Sequence, residues 1–249
     1  MDLSFELLAI LSVVAIAAGF IDAIAGGGGL LTIPALLFTG IPPVQAIATN
    51  KLQACFGSFT ATRYFVKQKL VFPKQQIGAI VAASIGAILG AIAIQLFDSH
   101  VLVTLLPFAL ILIAVYLVLA KNFGQSADKP KLNETKFNAS FITGIGFYDG
   151  FFGPGTGTFF TLSYCKMRAL NLIQATAHAK LMNFTTNIVS LFIFILSDQI
   201  LWQAGLAMAF GQIIGARIGA ATAIKQGTDF IRYMTVVVCM VMSISLLLK

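Results

Sequence analysis

Charge is scarce in this chain of 249 residues: Asp, Glu, Lys and Arg make up 10% of it, against 58% hydrophobic residues. A water-soluble domain needs about 25% charged residues to cover its surface, so that class is excluded. Cysteine is nearly absent. Cys55, Cys165 and Cys239 lie far apart in apolar surroundings with no CxxC pair, which excludes a disulfide framework and a thiolate metal site and leaves packing as their role. Two histidines are present, and no HExxH, GxSxG or paired Cys/His spacing occurs. The sequence therefore offers neither a metal centre nor a nucleophile with its base, and no enzymatic activity, metal or cofactor is expected. Long polar stretches are missing too, apart from KNFGQSADKPKLNETK at 121–136.

Apolar runs fill the rest, near 5–25, 29–40, 44–66, 75–97, 101–121, 138–152, 156–168, 174–197, 200–223 and 229–248. A helical span needs about 20 residues, and the short alternating segments of a membrane β-barrel are not seen. The two short runs, GLLTIPALLFTG and TGTFFTLSYCKM, each follow a glycine-rich break. Twelve residues reach only about 18 Å, short of a ~30 Å hydrocarbon core, so each reads as a half-helix. The expected fold is an all-α polytopic membrane protein with about eight long helices and two short re-entrant half-helices. MDLSFELL carries no Lys or Arg, so residues 7–25 read as a first membrane segment rather than a cleaved leader.

The chain also repeats itself. GFIDAIAGGGG at 19–29 matches GFYDGFFGPGT at 146–156, AIATNKL at 46–52 matches ATAHAKL at 175–181, and SIGAILG at 84–90 matches FGQIIG at 210–215, pairing Gly86 with Gly211 and Gly90 with Gly215. Three matched blocks in one order predict two repeats, 1–121 and 137–249, joined by a linker over 122–136.

Basic residues set the orientation. The net charge is +7, but Lys and Arg cluster at the ends of apolar runs, which makes them topology signals rather than a nucleic-acid footprint. With the N-terminus outside and each glycine break turning the chain back, twelve Lys or Arg fall inside, and Lys249 alone falls outside. The second repeat then runs opposite to the first. Inverted repeats are the plan of a secondary transporter whose substrate site lies between the halves near the midplane.

Six ionisable residues lie well inside the apolar segments: Asp22, Lys51, Asp149, His178, Lys180 and Arg217. Charges there are costly and point to function. The breaks Gly26, Gly27, Gly28, Gly29 and Gly153, Gly155, Thr156, Gly157, Thr158 would present half-helix N-termini, with free amides and a positive dipole end, to a small anionic substrate. Lys51 and Lys180 stand about seven residues into their helices, roughly 10 Å below opposite surfaces. They either frame that anion or form internal salt bridges with Asp22 and Asp149; a lysine released from an aspartate serves both readings. Asp22 and Asp149 either cap broken backbone or carry a coupling H⁺ or Na⁺. Asn50, Gln53 and Asn183 would bind oxyanion oxygens. His178 stands where the first repeat has Thr49, where pH dependence could enter. Arg217 either pairs with the anion or snorkels inward.

GFIDAIAGGGGLLTIPALL, ATNKLQACFGS, GFYDGFFGPGTGTF, ATAHAKLMN and GQIIGARIG together resemble the TauE/SafE sulfite exporter family, also called the toluenesulfonate uptake permeases, and its YfcA-like branch. The resemblance covers nearly the whole chain. It implies a bacterial inner-membrane transporter of small sulfur oxyanions such as sulfite, sulfoacetate or other sulfonates, working without ATP, in a family that spans export and uptake. An anion channel and a carrier of small carboxylates are the alternatives.

Overall fold

The computed structural model describes residues 4–97 and 126–247. The expected segment 101–121, the loop at 98–100 and the first part of the linker lie outside the described residues. Chain order is α1 (Phe5–Ala25), α2 (Gly29–Leu37), α3 (Pro43–Lys67), a 3-10 turn (Pro73–Gln76) leading into α4 (Ile77–Gln95), then α5, assembled from Glu134–Phe137, a π-helical turn Asn138–Ile142 and Thr143–Phe151. There follow α6 (Thr156–Arg168), α7 (Leu172–Leu196) and α8 (Trp202–Leu247). No strand occurs among the described residues. Among the described residues four stretches are long and apolar enough to cross a membrane: Phe5–Ala25, Pro73–Gln95, Leu172–Leu196 and Trp202–Ile231. The 25-residue α3 has the length as well, about 37 Å, and is less apolar because it carries Lys51, Arg63 and Lys67.

Local chemistry sets the helix ends. The side chains of Ser4, Asn133 and Asn171 accept hydrogen bonds from Leu7, Lys136 and Gln174 N–H at the starts of α1, α5 and α7, satisfying amides that a helix start leaves free. Pro43 opens α3, where its missing N–H costs nothing. Gly26 ends α1 in the left-handed region, φ 81°, with its N–H on Asp22 O. The half-helices α2 and α6, of nine and thirteen residues, are about 14 and 20 Å long. The runs 200–223 and 229–248 lie on the two sides of a kink in α8, where Gly227 takes a non-helical conformation (φ 78°, ψ −164°) that glycine alone adopts readily.

Helix packing is reciprocal between the halves. The first helix α1 packs most extensively on α8, and α5, which opens the second half, packs on α4. Both contacts run along glycines: a Cβ on Gly86 would stand 2.1 Å from Thr143 O and one on Gly90 2.1 Å from Phe147 O. Likewise, a Cβ on Gly215 would stand 2.0 Å from Ile16 O, and one on Gly219 2.4 Å from Phe20 O. Small residues let helix backbones touch where lipid gives no hydrophobic drive. These contacts correct the glycine pairing read from sequence by one helical turn. Gly86 corresponds to Gly215 and Gly90 to Gly219, since Thr143 and Phe147 occupy in α5 the places of Ile16 and Phe20 in α1.

Candidate functional site

The two glycine breaks meet in the middle of the molecule. Gly26 and Gly153 hold equivalent positions at the ends of α1 and α5, and both are left-handed, with φ of +81° and +99°. A Cβ on Gly26 would come within 2.4 Å of Gly157 C and Thr158 N, and one on Gly29 within 3.2 Å of Pro154 Cα. Glycine is therefore required at Gly26 by both backbone angle and contact. Thr158 Oγ1 donates to Ala25 O, which ties the breaks together, and Thr156 Oγ1 donates to Gly153 O. The hydroxyls expected to serve an anion are thus used by the backbone.

Two ion pairs cross between the halves. Lys180 Nζ on α7 donates to Asp22 Oδ2 on α1 at 2.8 Å. Lys51 Nζ on α3 lies 2.9 Å from Asp149 Oδ1 on α5. Asp22 also accepts from Gly28 N–H through Oδ1 at 3.2 Å, so it caps the first break while it neutralises a lysine. Asp149 does only the second: its Oδ2 has no hydrogen-bond partner, and Lys51 Nζ meets Oδ1 off the hydrogen-bonding direction. Burial also separates them. The side chains of Lys51 and Asp149 are 0% and 2% exposed, and those of Lys180 and Asp22 are 1% and 16% exposed.

Between the pairs lies a cavity of about 20 Å³, lined by Asp22, Asp149, the break glycines Gly26, Gly28, Gly29 and Gly153, and amides from three helices. That volume holds about one water. Asn50 Oδ1 accepts from Gln53 Nε2 at 2.7 Å and from Thr32 Oγ1, and Asn183 Oδ1 accepts from Asn187 Nδ2 at 2.7 Å. Both asparagines thus have their carbonyls occupied and their NH2 groups left to donate, which suits an acceptor such as an oxyanion. Gln212 on α8 completes the wall. It was not among the sequence candidates, although a lone amide in an apolar run is the signal that marks it. Its side chain packs where Gly57 and Gly19 have no Cβ.

The sequence profile described as Sulfite exporter TauE/SafE matches residues 11–246. The chain belongs to the TauE/SafE sulfite exporter family. The "Probable membrane transporter protein YfcA" of Escherichia coli (strain K12) is 45% identical over 243 residues, covering 97% of this chain and 90% of that one. The "Probable membrane transporter protein ORF9" of Sinorhizobium sp is 42% identical over 246 residues, covering 99% and 94%. The "Probable membrane transporter protein YunE" of Bacillus subtilis (strain 168) is 24% identical over 254 residues, covering 92% of each. No solved structure matches the chain. As a TauE/SafE protein it is a multi-pass membrane transporter.

Two of the residues singled out from sequence lie elsewhere in this TauE/SafE chain. His178 faces a separate cavity of about 150 Å³ with Glu134, Tyr164 and Arg168, and its Nδ1 is 2.8 Å from Gln174 O. Two residues from Lys180, it projects from nearly the opposite side of α7. Arg217 is on the outer face of α8, its Cζ 4.3 Å from the centre of the Tyr64 ring. Gly27, Gly155 and Gly157 are buried in the breaks without lining the central cavity. A Cβ on Gly153 would stand 3.1 Å from Lys51 Nζ, and one on Gly157 3.1 Å from Lys180 Nζ, so these glycines make room for the two ammonium groups.

Proposed function

We propose that this chain is a secondary transporter of small anions, chiefly sulfur oxyanions such as sulfite, sulfoacetate and other sulfonates, working by alternating access in the bacterial inner membrane. The crossed Lys180–Asp22 and Lys51–Asp149 pairs at the meeting breaks are the observation that carries this reading. A charge pair in a membrane core is retained where it can be exchanged for another. An incoming anion takes the place of Asp22 on Lys180 and on Gly28 N–H, and Asn50 and Asn183 donate to its remaining oxygens. Asp22, displaced, then carries the coupling H⁺ or Na⁺. The 20 Å³ cavity supports a carrier over a channel, because it is too small for an oxyanion unless the surrounding helices move apart.

The two halves, 1–121 and 137–249, act as inverted repeats that rock about the site. The N-terminus lies outside, and the basic loops and the linker 122–136 are cytoplasmic, in accord with the distribution of Lys and Arg. Carboxylates are the second substrate class, since the same amide donors suit them equally.

Proteoliposomes test both points. Labelled sulfite and sulfoacetate should accumulate against their gradients when a proton or Na⁺ gradient is imposed, more strongly than acetate or succinate. Accumulation should vanish in Lys180→Ala. Flux that only dissipates gradients would make the protein a channel, and accumulation of carboxylates alone would reassign the substrate.

A further inference from the structure

Among the described residues Arg217 has no carboxylate partner. Among the described residues the only ion pairs are Lys51–Asp149 and Lys180–Asp22, so Arg63, Arg217 and Lys67 are three uncompensated cations gathered on one cavity of about 300 Å³ between α3 and α8. Arg217 stands level with Tyr64, about one helical turn before the end of α3, and its guanidinium lies over that ring. A cation–π contact attracts a cation without neutralising it. Phe59 and Ile213, also on the cavity wall, are 49% and 39% exposed, and both sit on helices that span the membrane. Such a wall faces acyl chains, not water. The cavity therefore combines an apolar side open to the bilayer with three positive groups toward the end of α3 that carries Lys67, Lys69 and Lys74.

We infer that this cavity binds the headgroup of an anionic phospholipid. The phosphodiester lies between Arg63, Lys67 and Arg217 and supplies the counter-charge the protein does not, while an acyl chain runs along Phe59 and Ile213. Of the two roles the sequence left open for Arg217, pairing with the transported anion or snorkelling, it takes neither as such: Arg217 serves a lipid. The assignment is independent of what the central site carries.

The test uses the full-length protein, delipidated in detergent and offered mixed micelles of phosphatidylglycerol and phosphatidylcholine at equal concentration, with bound lipid read by native mass spectrometry. Phosphatidylglycerol should be retained preferentially, with about a fivefold loss of that preference for each cation removed in Arg63→Gln, Lys67→Gln and Arg217→Gln. Arg217→Lys should keep most of it. Inorganic phosphate at the same concentration should not displace the lipid. Equal retention of the two lipids overturns the assignment and needs no variant, so it stands even if a substitution impairs folding. An undiminished preference in a folded Arg63→Gln/Arg217→Gln protein overturns it as well. Displacement by phosphate alone would make the cavity a free-anion site instead.

Discussion

The two crossed ion pairs use the same residue types at equivalent places, yet they are built differently. Both aspartates line the cavity, but Asp22 is partly exposed and has both oxygens engaged, by Lys180 and by Gly28 N–H. Asp149 is sealed, with one oxygen on Lys51 and the other without a partner. A sealed pair is hard to break, because removing one member strands the other charge in a low dielectric. A partly exposed pair, with water at one member, can exchange partners at lower cost. On the proposed transport reading, the Lys51 pair would be the anchor and the Lys180 pair the movable contact, although the matched sequence blocks make them formal equivalents.

The sharpest way to break this contrast is to remove one member of the sealed pair. Lys51→Met or Asp149→Leu should cost about 3–5 kcal/mol, read as loss of folded protein in detergent melting. The double variant should recover most of that, and a double variant as unstable as either single one would show that the pair is not the anchor. Next comes the meeting of the breaks. Gly26→Ala and Gly40→Ala share a φ of +81°, but nothing lies within 4 Å of a Cβ on Gly40, whereas Gly26 is crowded by Gly157 and Thr158. Gly26→Ala should therefore be worse by about 1–3 kcal/mol and should abolish transport, which Gly40→Ala should leave intact. Lys180→Ala should cost less stability than Lys51→Met, about 1–3 kcal/mol, because water reaches Asp22, yet uptake should still be lost. If Lys180→Ala unfolds as readily as Lys51→Met, the two pairs are equivalent after all. The smallest effect belongs to His178→Asn. With His178 turned away from the cavity, the rate and pH profile of uptake should be unchanged.

Most element boundaries could be read from the residues, since caps, Pro43 and the glycine breaks are local signals. The half-helices α2 and α6 were legible for the same reason. Pairing was not, because a repeat shows which residues are equivalent and not which meet. Lys51 could have faced Asp22 of its own half; the packing of α5 on α4 and α1 on α8 sends each aspartate to the other half's lysine. Glycines spaced by four also match themselves one turn out of step, and only the carbonyls they touch fix the register. Placing His178 and Arg217 required helix geometry. Residues two apart on a helix point about 200° apart, and residues five apart about 140°, so His178 points away from Lys180 and Arg217 away from Gln212.

Each pair joins residues far apart in the chain, 158 positions in the case of Lys180 and Asp22. During synthesis, α3 therefore enters the bilayer with Lys51 before Asp149 has been made, and α1 waits with Asp22 until α7 emerges. Until the late helices arrive, each early buried charge lacks the partner that neutralises it in the finished fold. A gene cut within 122–136 would accordingly yield two fragments that are degraded when made singly and rescue each other when co-expressed.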